Sequence, residues 1–315
     1  MKKLKIVFMG TPDFAVGILD TIYKSEYEIV GVITAADKPA GRGQKVSTSA
    51  VKEYALANNL RLLQPTNLKN EEFLAELKGL GANLQVIVAF RMLPEAVWKM
   101  PELGTFNLHA SLLPEYRGAA PINWAIINGE TKTGVTTFFI DDKIDTGAII
   151  LKKETPIGNT ETVGELHDRL MNLGKEAVLE TLSLIENDKA ATYIQPESND
   201  LKTAYKLNKD NCKIDWTKPG KEIYNQIRGL NPYPAAWTFF MDGENEWNVK
   251  LFEVEFIESE HDNPIGKILS SKKEIHIFTV DGYLDIKSLQ MPGKKKMEVK
   301  QLLNGTVFSD KIIAK

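Results

Sequence analysis

Cysteine is almost missing from this 315-residue chain. Cys212 is the only one, so no intramolecular disulfide can form, and a reducing, cytoplasmic setting is expected. Histidine is scarce as well. His109, His167, His261 and His276 are scattered, with no His-x3-His spacing and no cysteine pair, so no metal is expected. No apolar run reaches the ~20 residues that span a bilayer, so no membrane partner is expected. The apolar stretch after Lys5 is too short for a secretory core and reads directly into a strand. Net charge is also lacking: 39 Lys and Arg against 42 Asp and Glu leave −3. Nothing global draws the chain to nucleic acid, and RNA contact must come from local basic patches. Two glycines of a dinucleotide fingerprint are absent after Gly10, which weakens a nicotinamide dehydrogenase. A Gly-x-Ser-x-Gly elbow is absent too, and Cys212 has no nearby base to activate it.

The organisation that is present starts as β-α-β. Lys5 to Met9 is apolar, apolar residues recur at helical spacing from Phe14 to Ile22, and Glu28 to Thr34 reads as a strand. Asp37 to Lys45 is basic and carries Pro39, Gly41 and Gly43, so irregular structure is expected there. Ser47, Thr48 and Ser49 offer N-caps for a helix, and Asn70 opens another. Leu84 to Phe90 is the continuous apolar run of a strand buried on both faces. A long amphipathic helix covers Thr160 to Asn187. The chain is then polar as far as Asn208. Short β runs follow from Val249 to Leu289, spaced as in a small barrel or sandwich. This predicts a first domain over 1–188, a linker over 189–207 and a second domain over 208–315.

Asn107-Leu108-His109-Ala110-Ser111-Leu112-Leu113-Pro114, with Arg117-Gly118, carries the chemistry. On a strand, residues two apart share a face, so Asn107 and His109 project together where Pro114 and Gly118 end the strand. Ligands bind at that carboxyl edge of an open parallel sheet. An amide donor beside a proton-carrying ring suits attack on a carbonyl.

This stretch, with Asp145-Thr146-Gly147 further on, resembles the signature of the 10-formyltetrahydrofolate-dependent formyltransferases. The likeness extends over nearly the whole chain. It is fullest for the branch that formylates initiator methionyl-tRNA. The resemblance implies an α/β fold: a Rossmann-like parallel-sheet catalytic domain followed by a smaller OB-like β-barrel domain. It implies Asn107, His109 and Asp145 as catalytic residues, 10-formyltetrahydrofolate as co-substrate, and a monomer. Ser111, Leu112, Leu113 and Pro114 would form one wall of the folate cleft, with Arg91 toward a folate carboxylate. Phe90-Arg91-Met92-Leu93-Pro94 departs from the Tyr-Gly-x-Ile-Leu-Pro of many members. Lys38, Arg42 and Lys45 would meet the tRNA acceptor end, and Lys294, Lys295 and Lys296 form a second basic patch. The rivals are a formyltransferase for an amino-sugar nucleotide and a noncatalytic RNA-binding protein.

Overall fold

A computed structural model describes residues 3–40 and 45–315 of the chain. Lys5–Gly10 (β1) is buried beyond its first residue. The helix Asp13–Tyr23 (α1) buries Phe14, Ala15, Ile18, Leu19 and Ile22 on one face. Glu28–Ile33 (β2) returns parallel to β1. The basic segment corrects one expectation: Lys38–Ala40 (β3) and Lys45–Ser47 (β4) pair antiparallel. Pro39 is tolerated because a two-stranded ribbon has free edges, where a missing N–H breaks no ladder. Ser49 caps Ala50–Ala57 (α2), accepting from Lys52 N at 3.0 Å. After Leu62–Leu63 (β5), Asn70 caps Glu71–Gly79 (α3) in the same way, through Phe73 N at 2.9 Å. Leu84–Val88 (β6) is buried throughout. Then come Glu95–Trp98 (α4), Thr105–His109 (β7), Arg117–Gly118 (β8), Pro121–Ile127 (α5), Lys132–Phe139 (β9) and Ile149–Pro156 (β10). Val163–Glu186 (α6) opens on a reciprocal cap. Thr162 N donates to Glu165 Oε2 at 2.8 Å, and Glu165 N donates to Thr162 Oγ1 at 3.3 Å.

The chain forms two compact units. The first comprises Met1–Gly118, Thr133–Thr155 and His167–Thr203. Its sheet has the strand order β10-β9-β7-β6-β1-β2-β5. The five strands from β7 to β5 run parallel, and β9 runs antiparallel to β7. The winding reverses between β1 and β6, which opens a crevice at their carboxyl ends beside β7. Leu108 of β7 faces α6, where Gly174 leaves room for it: a Cβ there would lie 2.8 Å from Leu108 Cδ2. Strand alternation therefore turns Asn107 and His109 to the opposite face.

The second unit draws Ala119–Lys132 and Pro156–Leu166 from the middle of the chain and adds Ala204–Lys315. Its later elements are Thr203–Ala204 (β11, which straddles the boundary), Gly220–Leu230 (α7), Ala236–Asp242 (β12), Asn245–Glu258 (β13), Ile268–Ser270 (β14), Ile275–Phe278 (β15), Gly282–Gln290 (β16), Met297–Glu298 (β17), Val299–Leu303 (α8) and Ile313–Ala314 (β18). The strands form the order β14-β15-β16-β13-β12-β18, with β17 added on β16. The ends of that sheet meet, because Lys267 bridges Ile313 and Ala314 N donates to Gly266 O at 2.7 Å. The result is a nearly closed barrel filled by Phe240, Val249, Leu251, Ile277, Leu284 and Ile286. Arg228 of α7 is buried, and desolvation lowers its pKa. It donates to Asn225 Oδ1 at 2.9 Å, Glu161 O at 2.9 Å and Gly158 O at 3.2 Å. α5 packs on α7, with Asn123 Nδ2 donating to Gly229 O at 2.8 Å.

Barrel closure can be tested at two glycines of like conformation. Gly266 (φ +77) would set a Cβ 2.4 Å from Ala314 O, whereas Gly243 (φ +63) has open space around it. Gly243→Ala should cost about 1 kcal/mol, the strain of the left-handed backbone. Gly266→Ala should cost about 2–4 kcal/mol by adding a clash at the seam. Urea unfolding of both variants measures the difference.

Candidate active site

The site is built from the end of β7 and two loops of the first unit. His109 is 6% exposed, and its Nε2 lies 2.8 Å from Tyr116 O. A carbonyl only accepts, so Nε2 carries the proton of that hydrogen bond and Nδ1 faces Asp145. Asp145 Oδ2 stands 3.9 Å from Nδ1. That distance is too long for a direct hydrogen bond and short enough for strong Coulomb attraction once the ring is cationic. The same oxygen accepts from Gly118 N at 2.9 Å. Asn107 Oδ1 is buried without a hydrogen-bond partner. A buried polar oxygen without a partner is costly unless something binds there. A half-turn of the amide's terminal bond would present a donor at the same point, so the group fits either a carbonyl oxygen or an N–H of a ligand.

Local backbone brings these groups together. Tyr116 (φ +60) and Asp145 (φ +55) both occupy the left-handed region, which is rare for a bulky residue such as tyrosine. In the second loop, Asp141 Oδ1 accepts from Lys143 N and Thr146 Oγ1. Gly147 closes that loop, since a Cβ there would sit 1.7 Å from Phe139 O. The 111–114 segment is tied to β9: Thr136 Oγ1 donates to Ser111 O at 2.7 Å and accepts from Leu113 N at 3.1 Å.

A family model described as formyl transferase matches residues 4–182, and one described as formyl transferase, C-terminal domain, matches 206–307. The chain belongs to the formyl transferase family. Its relatives in that family include a methionyl-tRNA formyltransferase of Flavobacterium johnsoniae, 68% identical over 98% of each chain. One of Bacteroides thetaiotaomicron is 52% identical, also over 98% of each. Among solved structures, WlaRD, a sugar 3N-formyl transferase crystallised with dTDP and 5-N-formyl-THF, is 24% identical. It matches with a TM-score of 0.65 over 94% of this chain and 100% of its own. HypX from Aquifex aeolicus in complex with tetrahydrofolic acid is 19% identical, with a TM-score of 0.64 over 96% of this chain and 47% of its own. These two likenesses show the shared fold of the formyl transferase architecture.

The other residues named from the sequence of this formyl transferase fall in several settings. Ser111 is fully buried, and its hydroxyl donates to Glu115 O at 2.7 Å. Leu113 packs in a small core with Phe138 and Ile149. Leu112 and Pro114 are half-buried. Arg91 is exposed, and its guanidinium donates to Pro65 O at 2.5 Å and Thr66 O at 3.0 Å. Arg42 lies outside the described residues, and Lys38 and Lys45 are described as backbone only. Lys294 and Lys295 are exposed, whereas Lys296 pairs with Glu253 at 2.6 Å. Burial raises the pKa of the Cys212 thiol, which disfavours the thiolate a nucleophile needs. Among the described residues no cluster of His, Cys, Asp or Glu could hold a metal, and no helix is long and apolar enough to cross a membrane.

The residue that sequence reading misses is Gln195, 4% exposed, with its amide against the Asp145 loop. It lies in the polar stretch that composition reads as a linker. Only the unusual burial of a glutamine marks it, and burial is invisible in a sequence.

Thr136→Val should test how the 111–114 segment is held. It keeps the shape and strands Leu113 N and Ser111 O without partners. A loss of about 2–4 kcal/mol is expected in urea unfolding, at about 1–3 kcal/mol per unsatisfied buried group.

Proposed function

We propose that this chain transfers a formyl group from 10-formyltetrahydrofolate to the α-amine of initiator methionyl-tRNA, acting as a cytoplasmic monomer in translation initiation. The supporting observation is the buried, unpartnered Asn107 Oδ1 on the same strand face as His109, with the Asp145 carboxylate 3.9 Å from the ring. Near-full-length identity of 68% to a relative named for that acceptor supports the choice of tRNA.

The folate supplies an activated formyl carbon. An aminoacyl α-amine has a pKa of roughly 8, so much of it is nucleophilic near neutral pH. As its nitrogen adds to the formyl carbon, Asn107 donates to the oxygen that gains charge. His109 presents the Nδ1 lone pair, because Nε2–H is bound to Tyr116 O. Nδ1 takes the amine proton, and the Asp145 carboxylate stabilises the imidazolium formed. That proton is then available to the departing nitrogen when the old C–N bond breaks. Leu112 and Pro114 would line the folate cleft and Arg91 would meet a folate carboxylate, the roles that the family resemblance implies. Lys38, Arg42 and Lys45, with Lys294, Lys295 and Lys296, would follow the phosphates of the RNA.

Formylation of charged initiator tRNA should outpace that of an amino-sugar nucleotide by orders of magnitude when labelled donor is offered with each acceptor. Preference for the sugar would overturn the reading. Asn107→Ala and Asp145→Ala should each lower kcat about 100–1,000-fold with unchanged circular dichroism. Arg42→Ala should lose rate on methionyl-tRNA while folate binding, followed by fluorescence, is retained.

A further inference from the structure

The mechanism above needs the Asp145 carboxylate held in place, and Asp145 sits on a loop at φ +55, in the left-handed region. Gln195, 50 residues away in sequence, meets that loop. Its Nε2 donates to Asp145 O and Gly147 O, both at 2.9 Å. Its Oε1 accepts from Arg117 Nε at 3.1 Å and Arg117 Nη2 at 2.7 Å. The amide has two donors and one doubly accepting oxygen, and all of this capacity is used.

The direction of the amide is set by chemistry. A guanidinium has donors only, so Oε1 must face Arg117. A flipped amide would set NH2 against the guanidinium and its oxygen against two carbonyls. Arg117 is itself fixed between the two neighbours that hold the catalytic pair: Tyr116 O accepts from His109, and Gly118 N donates to Asp145. The two loops are therefore joined by backbone on one side and by the Arg117–Gln195 side chains on the other.

We infer that Gln195 is a positioning residue, oriented by Arg117, that fixes the Asp145 carboxylate opposite the His109 ring. This inference rests on the function proposed above. Gln195→Glu keeps the Arg117 pair and replaces the two donors with an acceptor. Gln195→Met keeps the volume and removes every hydrogen bond. Both should lower kcat by at least about tenfold, with KM for either substrate within about threefold and with the chain still folded at the assay temperature by circular dichroism. In an Asp145→Asn background the further loss should shrink to under about twofold, because the two residues act as one unit. Equal proportional losses in both backgrounds, or unchanged kcat in both variants, would overturn the inference. A second readout needs no turnover. Amide exchange at Gly118, whose N–H binds the Asp145 carboxylate, should speed up about tenfold or more in Gln195→Met; unchanged exchange there also overturns it. A wild-type chain that fails to formylate methionyl-tRNA would defeat the functional proposal alone, and Gly118 exchange would still decide the role of Gln195.

Discussion

The hydrogen bond from His109 Nε2 to Tyr116 O, at 2.8 Å, sets the chemistry of the whole site. It selects the tautomer, turns Nδ1 toward Asp145, and requires the chain to double back within seven residues. That return forces Tyr116 to φ +60 and leaves Gly118 at φ +120, a value that suits glycine. Gly118 then offers its N–H to the carboxylate. The ring and the carboxylate, 3.9 Å apart, stand close without a direct hydrogen bond. A proton arriving on Nδ1 would create the ion pair that the resting geometry lacks.

The scaffold makes that return possible. β7 is held between β6 and β9, with its Leu108 face pressed on α6 at Gly174. Thr136 of β9 ties the descending segment at two points, Ser111 O and Leu113 N. The buried Leu113 side chain, packed on Phe138 and Ile149, anchors the same segment from below. Two of the four residues read as a folate wall, Ser111 and Leu113, thus hold the wall up from inside.

Much of this was legible from sequence for specific reasons. Asn107 and His109 are two apart on a strand, and alternation alone puts them on one face. The caps at Ser49 and Asn70 follow from side-chain chemistry. Asp145 became legible only through family resemblance, since no local pattern connects it to His109. The β3–β4 ribbon escaped because Pro39 and the nearby glycines read as breakers, and a free ribbon edge removes the penalty. Gln195 escaped for a different reason: a polar residue in a polar stretch gives no signal of burial. β12 also escaped, because Ala236–Asp242 begins directly after the turn-forming Asn231-Pro232-Tyr233-Pro234, which hid its aromatic strand pattern.

The interleaving of the two units has a practical consequence for evolution and for engineering. The barrel unit includes α5 and the 156–166 segment, both encoded upstream of its strands. Gly229 on α7 leaves space for Ile127, and Arg228 reaches back to Gly158 and Glu161. A graft that exchanged only the tail from residue 208 onward between relatives would separate these partners and leave an apolar helix face wet. Recombination between homologues should therefore succeed when α5, the 156–166 segment and the tail travel together, as though three distant exons encoded one cassette.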